Sequence, residues 1–165
     1  GLIQLSDAVD LDQLIKAFET SSNLTPYNSH MGLVTTPSQS FEYLKSSRDM
    51  YDILDMTKVC DVVLFAFSCK NIDVSNWKKD PDVFANAIDE RGYEILTMMR
   101  GQGLPYPIGV LLDIEHVGEK KRGEVKKLFH RYFVSEFTEK DKFHVIEGGQ
   151  DVKLLLRSIE VAYHK

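Results

Sequence analysis

The chain has two cysteines in 165 residues, no apolar run of membrane length and fewer cations than anions. Each shortage removes a class of protein. Cys60 and Cys69 flank one strand-like stretch, and nine extended residues span about 30 Å, so a disulfide between them is out of reach. Both read as small buried thiols in a reducing compartment. Nothing approaches the roughly 20 consecutive apolar residues of a membrane helix, and the amino end has no signal-peptide pattern. A net charge of −5 argues against a surface that is a nucleic-acid platform all over, because phosphate binding needs clustered Lys and Arg. One basic face remains compatible with it. His30, His116, His130, His144 and His164 are scattered without ligand spacing, and no Ser-His-Asp or Cys-His grouping stands out. No metal site, cofactor or catalytic residue is expected from these.

What is present is an α/β pattern. Val59–Ser68 (V-C-D-V-V-L-F-A-F-S) is a strand-like apolar run without alternation, suited to a parallel sheet covered on both faces. Leu2–Ser6 precedes it as a short strand, and Asp10 caps a helix with Leu11, Leu14, Ile15 and Phe18 inward. Ser21–Ser29 reads as a loop. Met31–Thr35 and Phe41–Lys45 are separated by too few residues for a crossover and form an antiparallel hairpin. A short helix around Met50–Thr57 leads to the central strand. Beyond the polar loop Lys70–Lys79, Asp80-Pro81 predicts a helix start, with Gly92 at a close packing point and Gly101 at the end. Ile108–Leu112 is a strand, Glu119–Phe137 an amphipathic helix, Phe143–Ile146 a last strand and Asp151–Tyr163 a closing helix. The expected fold is three-layered, with a six-stranded, mostly parallel sheet and one antiparallel edge strand. Residues 1–165 read as a single domain, and a first residue of Gly1 reads as a piece of something longer.

That strand–helix–hairpin order is the connectivity of GTPase-type sheets, and the GTP-binding motifs are missing from it. The segment after the first strand, L-S-D-A-V-D-L-D-Q-L-I-K, has no glycine to wrap a phosphate, and no G-K dipeptide occurs anywhere. Asp7, Asp10 and Asp12 put negative charge where a triphosphate would sit. The D-x-x-G position after the hairpin reads K-S-S-R-D-M, and the formal match Asp89–Gly92 falls inside a long helix, where it is discounted. The guanine-reading N-K-x-D position reads Leu112-Asp113-Ile114-Glu115. Glu115 can accept hydrogen bonds, but Leu112 cannot replace Asn. The last loop reads Glu147-Gly148-Gly149.

The block Ile53–Ser68, with I-L-D before K-V-x-D and an apolar strand ending in Ser68, followed by P-I-G-V-L at Pro107–Leu111, resembles the GTPase-like first domain of a ribosome-biogenesis family. That family contains the 20S rRNA accumulation protein and its GTPase-active sister. The resemblance covers most of the chain and is specific between about Asp52 and Leu112. It implies the inactive branch: a pseudo-GTPase with no small-molecule substrate. Such a domain binds pre-rRNA and ribosomal proteins on the pre-40S particle, shuttles between nucleolus, nucleus and cytoplasm, and is followed by β-domains. A divergent NTPase with an unorthodox pocket is the alternative.

Two clusters are candidate contacts. Lys120, Lys121, Arg122, Lys126, Lys127 and Arg131 lie on or near the polar side of the helix Glu119–Phe137, either facing rRNA phosphates or merely solvated. Trp77 with Lys78 and Lys79 is either a partner anchor or part of the core. Thr35 and Thr36, where a switch threonine would stand, read as a strand end leading into a turn.

Overall fold

The structure, a computed structural model, describes residues 1–72, 87–103, 105–137 and 142–164. The strands are β1 (Leu2–Gln4), β2 (Asn23–Pro26), β3 (Met31–Thr35), β4 (Ser40–Leu44), β5 (Val62–Ser68), β6 (Tyr106–Leu112) and β7 (Lys142–Val145). The helices are α1 (Leu11–Phe18), α2 (Met50–Val59), α3 (Glu90–Gln102), α4 (Glu119–Glu136) and α5 (Gly149–Tyr163). The parallel sheet runs β1-β5-β6-β7, with β5 paired to β6 from Val62↔Tyr106 to Ser68↔Leu112.

The unbroken apolar character of β5 follows from having two covered faces. Val63, Phe65 and Phe67 point into a core shared with Ile95 and Met99 of α3 and with Val125, Phe129 and Phe133 of α4. Leu64 and Ala66 point the other way, to Leu14 and Phe18 of α1 and Leu155 and Ile159 of α5. Strand periodicity of two thus sorts one sequence run into two cores. Each fully buried phenylalanine contributes about 2–3 kcal/mol of apolar transfer, and Phe65, Phe67, Phe129 and Phe133 are all completely buried.

The sheet departs from the expected six-stranded arrangement. β2, β3 and β4 form a separate antiparallel sheet, whose one strand pairing with β1 among the described residues is a parallel bridge between Leu2 and Lys45. The physical reason is overlap. β4 ends at Leu44 and only the residue just past it, Lys45, pairs with Leu2 near the start of β1, so the two strands are staggered and share one bridging position instead of a ladder. Between β4 and the start of β5 this leaves a groove of about 410 Å³ bordered by Phe41, Tyr43, Val62 and Tyr163.

The loop expected at Ser21–Ser29 instead contains β2. Asn28 accepts from the amides of His30 and Met31 through Oδ1, at 2.8 and 2.9 Å, which closes a tight β2–β3 turn. Pro26 is tolerated there because β2 is an outer strand. Asp80, Pro81 and Phe84, expected to open the next helix, lie outside the described residues. The described helix α3 is capped by Asp89 and ends at Gly103, whose φ is +76°, not at Gly101. Asp89–Gly92 therefore opens a helix rather than lying inside one. The close packing expected at Gly92 is present: a Cβ there would stand 2.0 Å from the Leu5 carbonyl oxygen of the loop after β1. Cys69 is buried, but Cys60, just past α2, is only half-buried.

Candidate functional site

The carboxyl end of β1 opens into a hollow of about 390 Å³ bordered by Asp7, Asp10, Asp12, His30, Lys45 and Lys70. In a phosphate-binding loop the backbone N–H groups after the first strand point outward at the ligand. Here five of them point at the protein's own oxygens. The amide of Asp7 donates to Asp89 Oδ2 at 3.0 Å, Ala8 to Ser6 Oγ at 3.2 Å, and Val9 to the Ser6 carbonyl at 3.2 Å. The amides of Asp12 and Gln13 both donate to Asp10 Oδ1, at 3.0 and 3.3 Å, so Asp10 caps α1 as expected. Lys16 lies in the last turn of α1.

The acids of this loop are not the field of open negative charge that the sequence suggests. Asp12 holds Lys45 Nζ at 2.7 Å, and Asp7 holds Arg48 at 2.8 Å. Arg48 reaches across to Asp89 with both terminal nitrogens, Nη1 meeting Oδ2 at 2.7 Å. Asp89 in turn accepts from the Gly92 amide at 2.8 Å. Burial pushes the Asp89 carboxyl up, but the Arg48 hydrogen bond, the Gly92 amide and the Arg48 charge together hold it below the ordinary aspartate value. The Arg48 guanidinium is raised by the Asp89 hydrogen bond. Two of the three acids are thus spent on cations of the segment after β4.

Arg48 was not legible as a site residue. It stands in K-S-S-R-D-M, a stretch notable in the sequence only for lacking a D-x-x-G, and its main partner is 41 residues away.

At the ends of β5 and β6, Leu112 is buried and Asp113 is 2% exposed with φ of 62°. Asp113 Oδ2 accepts from Ser68 Oγ at 2.5 Å, tying the two strand ends together. Glu115, the residue in the position of a guanine-reading Asp, is exposed. Asp113, Glu115 and His116 have ligand-capable atoms within 4.8 Å of one another, a convergence that scattered histidines did not suggest. Thr36 closes the β3–β4 turn through Oγ1 contacts with the backbone of Gln39.

On α4 the six candidate cations divide. Arg122 Nε donates to the Val117 carbonyl at 2.8 Å, and Lys126 pairs with Glu147 at 2.7 Å. Lys121 is half-buried, and Lys120, Lys127 and Arg131 are exposed. Trp77, Lys78 and Lys79 lie outside the described residues.

No protein-family model matches the chain. It is 22% identical, over 96% of its length, to the ribosome biogenesis protein tsr1 of Schizosaccharomyces pombe. It is 26% identical, over 64% of its length, to the pre-rRNA-processing protein TSR1 homolog of Drosophila melanogaster. The chain spans 19% of the first relative and 12% of the second. Among the described residues no helix is long and apolar enough to cross a membrane.

Proposed function

We propose that this chain is a non-catalytic, GTPase-like domain of a ribosome assembly factor that acts in small-subunit (40S) maturation. On this reading it binds pre-rRNA and ribosomal proteins by shape and charge, travels with the particle from nucleolus and nucleus to cytoplasm, and turns over no nucleotide. The observation that carries the proposal is the closed loop after β1. Its amides at Asp7, Ala8, Val9, Asp12 and Gln13 are bonded internally, so the donors that would cradle a phosphate are already used. Freeing them would mean breaking several hydrogen bonds, each contributing about 1 kcal/mol, together with the Arg48–Asp89 pair. That one relative is a ribosome biogenesis protein and the other a pre-rRNA-processing protein supports the assembly setting.

The test is a titration with fluorescent GTP, GDP and ATP in the presence of magnesium, paired with a melting assay. Nucleotide at a hundred times its Kd would raise stability by about 2.7 kcal/mol. Unchanged melting and no binding are expected. A clear shift with any of the three overturns the non-catalytic reading in favour of a divergent NTPase.

A further inference from the structure

Helix α4 carries its charge against its own dipole. The amino end of a helix is its positive pole, and anions stabilise it. α4 nevertheless places Lys120, Lys121 and Arg122 in its first turn beside a single acid, Glu119, and has no basic residue in its last turn. Helix stability therefore does not account for these cations. Arg122 has a separate structural role, gripping the backbone carbonyls of Val117 and Glu115, and Lys126 is held by Glu147. Lys121 is half-buried, which leaves Lys120, Lys127 and Arg131, exposed and without an ion pair among the described residues.

The three stand at i, i+7 and i+11, which at 3.6 residues per turn puts Lys127 and Arg131 within about 20° on either side of Lys120 and spans roughly 16 Å. Gly123 lies beside that line with open space around it, so that flank of the row is uncovered. Glu124 is the one acid on the line. Elsewhere Lys58, Arg91 and Arg100 are matched by Asp55, Glu94 and Glu136, and Lys16, Lys70, Lys153 and Arg157 stand singly on other surfaces, exposed and without an ion pair among the described residues; what sets the α4 cations apart is their alignment on one helix face. A row of unmatched cations on a net-negative protein complements a polyanion of fixed charge spacing.

We propose that Lys120, Lys127 and Arg131 form a contact row for the phosphodiester backbone of RNA, read by charge and not by base sequence. The inference rests on the assembly reading above and names the face that meets RNA.

The experiment measures binding of the chain to an RNA hairpin at several salt concentrations, and co-sedimentation with pre-ribosomal particles. Three phosphate contacts predict a slope of about −2 to −3 in log K against log salt, or roughly a 20- to 40-fold loss between 50 and 200 mM. The triple variant K120E/K127E/R131E is expected to lose at least tenfold in affinity and most of the slope. The control K16E/K58E/K153E has the same net charge with its reversals spread over other surfaces, and is expected to lose less than threefold. E124Q is expected to tighten binding. Equal losses in both triple variants overturn the row, as does RNA affinity unchanged by K120E/K127E/R131E. If the unmodified chain joins particles yet binds no RNA, the row is wrong while the assembly reading stands on protein contacts. If it does neither, both fail.

Discussion

Arg48 grips Asp89 with both terminal guanidinium nitrogens, and Asp89 carries that grip to the amides of Asp7 and Gly92. One carboxylate thus joins the segment after β4, the loop after β1 and the first turn of α3. In an active nucleotide-binding fold these are regions expected to move. Here an ion pair and a helix cap hold them to one another.

Replacing Asp89 with Ala removes a cap worth about 1 kcal/mol and leaves the largely buried Arg48 with only Asp7. Urea denaturation is expected to show a loss of about 2–3 kcal/mol. A loss below about 0.5 kcal/mol, the scale of ordinary surface changes, would mean that the junction holds nothing together.

The same carboxylate sets a pH dependence. Its folded-state pKa lies below the unfolded value, so its stabilisation is fully present above the ordinary aspartate range and fades as pH falls through the folded value. The stability difference between the unmodified chain and Asp89→Asn should be flat above about pH 5 and shrink below about pH 4. A difference that grows on acidification would reverse the sign of this account.

Gly92→Ala tests the packing of α3 on β1. An exposed helical Gly→Ala change ordinarily gains up to about 1 kcal/mol. At this site the new methyl meets the Leu5 carbonyl oxygen at 2.0 Å, a backbone atom that cannot swing aside. A loss of about 1–3 kcal/mol is expected from the clash, measurable as a lowered Tm.

Ser68→Ala withdraws the hydroxyl that Asp113 accepts in a buried setting. An unsatisfied buried acceptor costs about 1–3 kcal/mol. The change should also expose the ends of β5 and β6 to faster amide exchange. Unaltered exchange at Cys69 and Leu112 would show that the strand ends do not depend on this bond.

The two thiols should react unequally. Burial, then the charges of Asp113 and Glu115, push the Cys69 thiol up to about 12, so it stays protonated and covered at pH 8. Iodoacetamide is expected to label the half-buried Cys60 first, as read by peptide mass spectrometry. Labelling of Cys69 at an equal rate would contradict its placement.

Most of the layer structure was legible because it rests on local periodicity. The apolar runs read at Val59–Ser68 and Ile108–Leu112, which form strands over Val62–Ser68 and Tyr106–Leu112 with Val59 closing α2 instead, and the apolar stripes of α1, α4 and α5 carry their burial pattern in residue spacing. The Asp10 cap and the tight approach at Gly92 were legible for the same reason. The β2 strand was not, because Asn23–Pro26 has the composition of a loop and becomes a strand only through pairing with β3. The division of the sheet was not legible either, since it depends on how far β4 and β1 overlap.

By itself the sequence determined that the loop after β1 has no glycine and no lysine at its head, which follows from residue identity alone. Only the tertiary structure decided what became of the acids placed there. Lys45, Arg48 and Asp89 come from distant parts of the chain, and whether a charge is open or neutralised depends on a partner that folding alone brings within 3 Å.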